Sequence, residues 1–261
     1  MTLVNHELRR GRTALLVWTA SIGFLMAVCI FLFPEMKGEM DGVSEMFASM
    51  GSFTQAFGMD RLSFGTLTGF YAIECGNILG LGGAFFAALV AIQSLAGEEK
   101  DHTAEFLLTH PIARSRIVAE KLLAVVLQIV LLNLVILLIS LGSVAAIVEM
   151  FPWKELWLLH LAFFLLQLEL AGICFGISAF LRRGSLGLGL GIAAMAYFLN
   201  LIANISEQAQ CLRYVTPFAY AEGADILTDL ALDGPLVALG MAYGLIGVAA
   251  AFWRYGKKDI A

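Results

Sequence analysis

Six long apolar runs limit what this chain can fold into. Each has about 18 or more residues with few or no charges, the length that a helix needs to cross the hydrocarbon core of a bilayer. The sequence of 261 residues is 60% hydrophobic and only 14% charged, whereas soluble domains carry about 25% charged residues. A soluble fold of this size could not bury so much apolar surface. The sequence therefore predicts an all-α, polytopic membrane protein with six transmembrane helices.

We predict one transmembrane domain over residues 1–261. Its spans are predicted at about 13–33, 70–95, 122–148, 157–181, 185–205 and 236–253. No cleavage site of small residues follows the first run, so we expect this run to remain as the first span. Glycines in the runs should allow close contacts between helices. These glycines are Gly80, Gly82, Gly83, Gly187, Gly189 and Gly191.

Three segments outside the spans also carry predictions. The basic segment 5–12 is expected to form an N-terminal interfacial helix, with Leu3, Val4 and Leu8 toward lipid. Residues 34–69 should pack an amphipathic helix against the outer mouth. The second outer segment, 206–235, should contain a helix break at Thr216-Pro217-Phe218 because proline interrupts helices.

The distribution of Lys and Arg predicts the orientation. Twelve of the 16 basic residues fall on one side of the predicted spans and four on the other. Because cytoplasmic loops carry the excess of Lys and Arg, we place both termini and residues 97–121 in the cytoplasm, which is N-in/C-in. The outer loops hold twelve carboxylates against four basic residues, so we expect an acidic outer face.

Residues 97–121 form a charged segment between the second and third runs. Asp101 or Thr103 can cap a short helix over residues 103–109. Pro111 ends that helix, since the residue before a proline resists the α conformation. A second helix should restart at Arg114 and lead into the third span. The apolar residues between the charges, Phe106, Leu107 and Leu108, favour a docking surface over an ordinary solvated loop.

This segment resembles the cytoplasmic signature of ABC-2-type permeases, the membrane subunits of ABC exporters. The usual pattern there is GEE-x-x-GT-x-E-x-LL-x-x-P-x-(S/A)-R, with a lysine beginning the next span. The matching residues are Gly97, Glu98, Glu99, Thr103, Glu105, Leu107, Leu108, Pro111, Ala113, Arg114 and Lys121. His102 stands where the family commonly has glycine. The basic start, the six spans, the outer Pro217-Phe218 with Tyr220, and the Lys258-Asp259-Ile260 ending are similar too.

The resemblance implies that the segment is a coupling helix, which seats in a groove of a separate ATP-binding subunit. Phe106, Leu107 and Leu108 would make the apolar contact. The residues that would fix its register or shape are Glu98, Glu99, Thr103, Glu105, Pro111, Arg114 and Arg116. We therefore expect an exporter permease in a prokaryotic cell (inner or plasma) membrane, with lipid around it and no nucleic-acid partner.

The source of energy follows from a missing motif. The sequence contains no G-x-x-x-x-G-K-[ST] phosphate-binding loop, so we expect no catalysis and no cofactor in this chain. ATP and Mg²⁺ are expected in the ATP-binding partner, in two copies. A second permease copy, identical or different, would complete the translocation pathway. Substrate identity stays open: peptides, antibiotics, lipids and glycans are all cargoes within the family.

Three polar residues of the spans are candidates for the pathway. Glu169 lies in the middle of the fourth span, where a charged carboxylate is costly unless it is paired, protonated or solvated. Glu74 and Asn77 lie near the outer start of the second span, where Glu74 either is solvated at the interface or lines an outer vestibule. The spans also carry other amides, which more often join helices than bind substrate. These are Gln128, Asn133, Asn200 and Asn204.

Other functions fit the sequence less well. An intramembrane protease with adjacent glutamates needs that pair inside a span and an arginine four residues later, but Glu98-Glu99 end a span and Thr103 stands at that place. The four histidines are scattered, without an HExxH motif or a serine-elbow motif. An ion-coupled carrier or channel would rest on Glu169, but no internal repeat supports it. A non-transporting immunity-type membrane protein is a further alternative.

Overall fold

The computed structural model describes residues 2–37, 51–100, 113–147, 152–181 and 185–257, apart from the side chains of residues 2, 53 and 98–100. The regular structure in these ranges is helical. Its helices are α1 (Thr2–Met36), α2 (Ser52–Ala56), α3 (Leu67–Phe70), α4 (Gly76–Lys100), α5 (Arg114–Ile147), α6 (Trp153–Ser178), α7 (Leu186–Ile205), α8 (Gly223–Asp229) and α9 (Gly234–Lys257). A π-helical turn, Tyr71–Cys75, joins α3 to α4, and two 3₁₀ helices, Glu207–Tyr214 and Ala219–Ala221, precede α8.

Among the described residues, six helical segments are long and apolar enough to cross a membrane. They are α1, the continuous α3–α4 segment, α5, α6, α7 and α9. The shortest, α7, has 20 residues, which at 1.5 Å per residue spans about 30 Å. The predicted all-α fold with six spans is confirmed. Hydrogen-bonding side chains mark helix starts: Ser185 Oγ accepts from the Leu188 N–H at 3.3 Å, and Asp233 Oδ1 accepts from the Leu236 N–H at 3.1 Å.

The N-terminal basic segment is the first part of a continuous helix. Helix α1 runs from Thr2 to Met36 without a break at Arg12, so residues 5–12 are not a separate helix. Val4 is only 8% exposed, and the prediction that it faces lipid is wrong, because this turn of α1 packs on the protein. The predicted amphipathic helix with Met40, Val43, Met46, Phe47 and Met50 falls mainly on residues 38–50, outside the described residues.

Helices α4 and α6 lie at the centre of the bundle. Of their most apolar stretches, 61% and 67% of residues are buried, against 28% for α1 and α7 and 17% for α9. Helix α4 packs against α6 and α7, α6 packs against α9, and α5 packs against α1. The outer helices therefore leave much apolar surface uncovered within one copy, as lipid-facing helices do.

Helices α6 and α9 approach each other closely through glycines. A Cβ on Gly172 would lie 2.6 Å from the Gly244 carbonyl oxygen, and a Cβ on Gly176 would lie 2.5 Å from the Gly247 carbonyl oxygen. Both distances are too short for any side chain, so these positions require glycine. Membrane helices pack in this way through small residues four apart. This contact was not among the glycine contacts that we predicted.

The predicted glycine contacts form in part. Gly82 faces Ile22, Gly83 faces the Gln167 side chain, and Gly189 lies against α4. Gly80 also meets a neighbouring helix, at Phe163 of α6. In contrast, Gly187 and Gly191 are exposed and touch no other helix.

The segment between α7 and α9 enters the bundle instead of lying over it. Its helices are interrupted at Thr216-Pro217-Phe218, as predicted. Thr216, Phe218 and Tyr220 are 3%, 7% and 3% exposed. The Thr216 hydroxyl donates to the Ala196 carbonyl of α7 at 2.7 Å. The segment thus closes the end of the bundle that the charge pattern places outside.

Candidate functional site

At the predicted cytoplasmic end, one lysine joins three helices. Lys121 of α5 is fully buried, and its Nζ donates to Glu7 Oε1 of α1 at 2.7 Å and to the Ser94 carbonyl of α4 at 2.8 Å. Helix α4 ends and α5 begins on either side of residues 101–112. The ends of the predicted coupling segment are therefore fixed to each other and to α1.

The predicted coupling residues fall in three groups. Arg114 and Arg116 lie in the first turn of α5, where the predicted helix restarts, and Arg116 Nε pairs with Glu120 Oε1 at 3.0 Å. Arg114 also donates to the Gly256 carbonyl of α9 at 3.4 Å. Glu98 and Glu99 belong to the last turn of α4, with side chains that are not described. The others lie outside the described residues: Thr103, Glu105, Phe106, Leu107, Leu108 and Pro111.

Glu169 is held between two other elements. Its side chain is 1% exposed, and Oε2 accepts a hydrogen bond from the Tyr220 hydroxyl at 2.9 Å. On the other side it packs directly against Gly240 of α9, where a Cβ would overlap Oε2. A carboxyl buried at this depth is costly unless it is paired, and the hydrogen bond from the Tyr220 hydroxyl offsets part of that cost. The contact ties α6 to the segment between α7 and α9.

The Glu169–Tyr220 hydrogen bond predicts a difference between two substitutions. In Glu169→Gln the amide oxygen can still accept from Tyr220, so we expect a thermal midpoint near that of the wild type. In Glu169→Leu the buried Tyr220 hydroxyl loses its acceptor, which should cost about 1–3 kcal/mol. Thermal unfolding in detergent, followed by size-exclusion chromatography, measures both. Equal midpoints for the two variants would contradict this role, and adding Tyr220→Phe to Glu169→Leu should recover part of the loss, because it removes the unpaired hydroxyl.

Of the four amides that were predicted to join helices, two bond to another helix: Asn133 and Asn204. Asn133 of α5 donates to Gln167 Oε1 of α6 at 2.6 Å. The Tyr71 hydroxyl of the π-helical turn and His160 Nε2 of α6 are 2.7 Å apart. Gln128 is an exception among the described hydrogen bonds, because it donates to Ala124 of its own helix. Gln167 and Glu169 have different neighbours, which agrees with their predicted placement on different faces.

A cavity of about 50 Å³ with a mixed polar and apolar lining lies at the predicted outer end. The π-helical turn brings Asn77 to its wall, where Nδ2 donates to the Ile73 carbonyl at 2.8 Å and Oδ1 accepts from the Tyr197 hydroxyl at 3.1 Å. π-Helical turns occur often at functional sites. Glu74, in the same turn, is half-buried and does not line this cavity. The structure thus places Asn77 here, and it does not bring Asn77, Glu74 and Glu169 together.

Glu222 forms the opposite wall of the cavity. Its Oε2 accepts from Asn200 Nδ2 at 3.2 Å and from Asn204 Nδ2 at 3.0 Å. Burial raises the pKa of the Glu222 carboxyl, and the two amide donors oppose that rise. Beside it, Asp225 pairs with Arg61 at 2.5 Å and with Arg213 at 2.6 Å. These two arginines are therefore already engaged by Asp225.

A family model described as ABC-2 family transporter protein matches residues 1–260. The chain belongs to the ABC-2 transporter family. The family match thereby confirms the resemblance that residues 97–121 indicated, and it extends over nearly the whole chain. The chain is therefore a membrane component of ABC transport. A search of curated proteins gives no match.

In this ABC-2 family member, sequence reasoning missed the cluster around Glu222. Asn200 and Asn204 were interpreted as amides that join helices, and Glu222 as one of many outer carboxylates. The sequence did carry a signal for a polar site: Asn200 and Asn204 are four residues apart, so they share one face near the end of α7. Nothing in the sequence indicated that Glu222, in an irregular segment, would fold back onto that face.

Proposed function

We propose that this chain is the permease subunit of an ATP-driven ABC exporter, in which two copies form the pathway and separate ATP-binding subunits supply the energy. The family match over residues 1–260 carries the proposal. Six membrane-length helices and the absence of a phosphate-binding loop from the sequence support it. The chain would sit in a prokaryotic cell membrane as a multi-pass protein.

Residues 97–121 would receive force from the ATP-binding subunit. The Lys121 contacts to Glu7 and Ser94 support this role, because a push on the segment would reach α1, α4 and α5 together. Closure of the ATP-binding pair would then move these helices as one body and tilt the spans. A second permease copy, homo- or heterodimeric, would complete the pathway, since α7 and α9 bury little of their surface within one copy.

The apolar residues of the coupling segment provide a test. We expect Phe106→Glu to reduce recovery of an ATP-binding chain with the tagged protein, because a carboxylate would have to enter the apolar contact. ATP hydrolysis by the purified complex should fall with it. The assay is affinity purification from the native cells, identification of a chain that carries the phosphate-loop motif, and measurement of its ATPase rate.

The matched control is Tyr214→Glu, an aromatic-to-acid change at the opposite end, where Tyr214 is 61% exposed. It should leave assembly and ATPase activity at the wild-type level. Unchanged assembly and activity in Phe106→Glu would overturn the assigned role of Phe106. Failure to find any ATP-binding chain with the wild type would overturn the proposed function itself.

A further inference from the structure

The cavity between Asn77 and Glu222 has an uneven supply of hydrogen-bonding groups. Its polar lining consists of Asn77, Tyr197, Asn200 and Glu222. Part of their donor capacity is already used: Asn77 Nδ2 donates to Ile73, the Tyr197 hydroxyl to Asn77, and Asn200 Nδ2 to Glu222, which leaves one N–H on each amide. The cavity therefore offers a ligand mainly acceptors.

Two acceptors of the lining lack a donor among the described residues. Asn200 is 5% exposed, and its Oδ1 has no hydrogen-bond partner. Glu222 accepts both amide bonds on Oε2, and none of the described residues donates to Oε1. Asn77 Oδ1 accepts one bond and, as a carbonyl oxygen, has a second lone pair. An unpaired buried acceptor costs about 1–3 kcal/mol, so a donor-rich occupant would be stabilised here.

The charges around the cavity also favour a cationic occupant. Glu222 makes no ion pair with a described residue: Arg61 and Arg213, the neighbouring cations, both pair with Asp225, and Arg61 acts on Glu222 only at longer range. Asp60 and Glu207 add negative charge to the same end. An anion would face the Glu222 carboxylate and would find no cation in the lining.

We propose that this cavity binds a primary ammonium group, with its three N–H donors directed to Glu222 Oε1, Asn200 Oδ1 and Asn77 Oδ1. A volume of about 50 Å³ exceeds the roughly 10–15 Å³ that a cavity needs, by the same measure, to hold one water molecule. The ammonium and the adjoining methylene would fit, and the rest of the ligand would extend toward the predicted outer surface. The proposal concerns binding by this chain alone and does not require that it be a transporter.

Ethylammonium is the probe. The full chain in detergent is titrated at pH 8, and the thermal midpoint is followed at constant ionic strength. We expect a saturable rise with ethylammonium and no comparable rise with tetramethylammonium, which has the charge but no N–H group, or with Na⁺. An equal response to tetramethylammonium would show that N–H donors are not required and would overturn the proposal. An equal response to Na⁺ would overturn it in favour of a metal-cation site. No response to any probe would overturn the site.

Two variants test the residues. Glu222→Gln keeps the size of the side chain but removes its charge, and the affinity for ethylammonium should fall at least about tenfold, the loss expected for a charge-assisted hydrogen bond. Asn200→Ala should weaken binding as well. The control, Asp229→Asn, removes an exposed carboxylate that does not line the cavity and should bind as the wild type does.

Folding is monitored separately by elution volume and by the midpoint without ligand. If Glu222→Gln does not fold, the affinity of Tyr197→Phe for ethylammonium tests the assignment instead. This variant frees Asn77 Oδ1 from its donor and should bind ethylammonium at least as tightly as the wild type. Unchanged affinity in a folded Glu222→Gln, or lost affinity in a folded Tyr197→Phe, would overturn the assignment.

The ammonium could belong to a soluble amine or to a phosphatidylethanolamine headgroup. Nanodiscs of phosphatidylcholine, with and without phosphatidylethanolamine, distinguish the sources. A lipid occupant predicts that phosphatidylethanolamine raises the apparent dissociation constant for ethylammonium by competition. A soluble occupant predicts the same constant in both nanodiscs.

Discussion

Gly176→Leu is expected to lower the free energy of unfolding by about 3 kcal/mol or more, the upper range for overpacking a well-packed contact. The reason is geometric: even a Cβ at this position would lie 2.5 Å from the Gly247 carbonyl oxygen. A leucine must push α6 and α9 apart, and the neighbouring contact between Gly172 and Gly244 would open with them. The measurement is the thermal midpoint in detergent, together with the fraction of protein that elutes as a single species.

A glycine of another helix is the matched control. Gly142 of α5 is exposed, and a Cβ there would meet no other atom within 4 Å. Gly142→Leu should therefore leave the midpoint unchanged or raise it slightly, because leucine favours a helix over glycine by about 0.5–1 kcal/mol. Similar midpoints for Gly142→Leu and Gly176→Leu would show that the α6–α9 contact is not close-packed.

The spans could be predicted because their signals are local. The length of an apolar run decides whether a helix can cross the bilayer, and Lys and Arg near the ends favour one orientation. Helix starts were also visible locally, as at Ser185, whose hydroxyl accepts the Leu188 N–H. The break at Thr216-Pro217-Phe218 follows from the missing N–H and the fixed φ of proline.

Helix pairing was much less predictable. Glycines are abundant in all six runs, and the sequence does not show which of them face another helix. Gly189 and Gly191 illustrate this: they are two residues apart, yet the first packs on α4 and the second touches nothing. A helix rotates by about 200° over two residues, so a shift in register exchanges buried and exposed glycines.

The polar site at the predicted outer end was hidden for a related reason. Asn77 was singled out as a pathway candidate, but its partner Tyr197 and the facing Glu222 lie 120 and 145 residues further along the chain. Glu222 follows a proline-broken segment, and such segments are usually taken as exposed connections. Only the fold shows that this one enters the bundle, with Tyr220 bonded to Glu169.

Lys121→Met should destabilise the protein by about 3–5 kcal/mol, the usual cost of removing one partner of a buried ion pair. Lys121 is fully buried, and methionine cannot donate to Glu7 or to the Ser94 carbonyl. The Glu7 carboxylate, 14% exposed, would remain as a nearly buried charge without its lysine. We expect a lower thermal midpoint, and faster proteolysis near the N-terminus as the first turns of α1 detach.

A second ion pair of the same helix, in which the cation is exposed and not buried, is the control for Lys121→Met. Arg116 pairs with Glu120, but the arginine side chain is 67% exposed, so Arg116→Met should change the midpoint little. The double variant Lys121→Met/Glu7→Met should recover much of the loss, because it removes the uncompensated charge and fills the space with apolar groups. A Lys121→Met midpoint equal to that of Arg116→Met would contradict the role of Lys121 in joining α1, α4 and α5. An unrecovered double variant would instead assign the cost to the Ser94 carbonyl, which loses its donor in both cases.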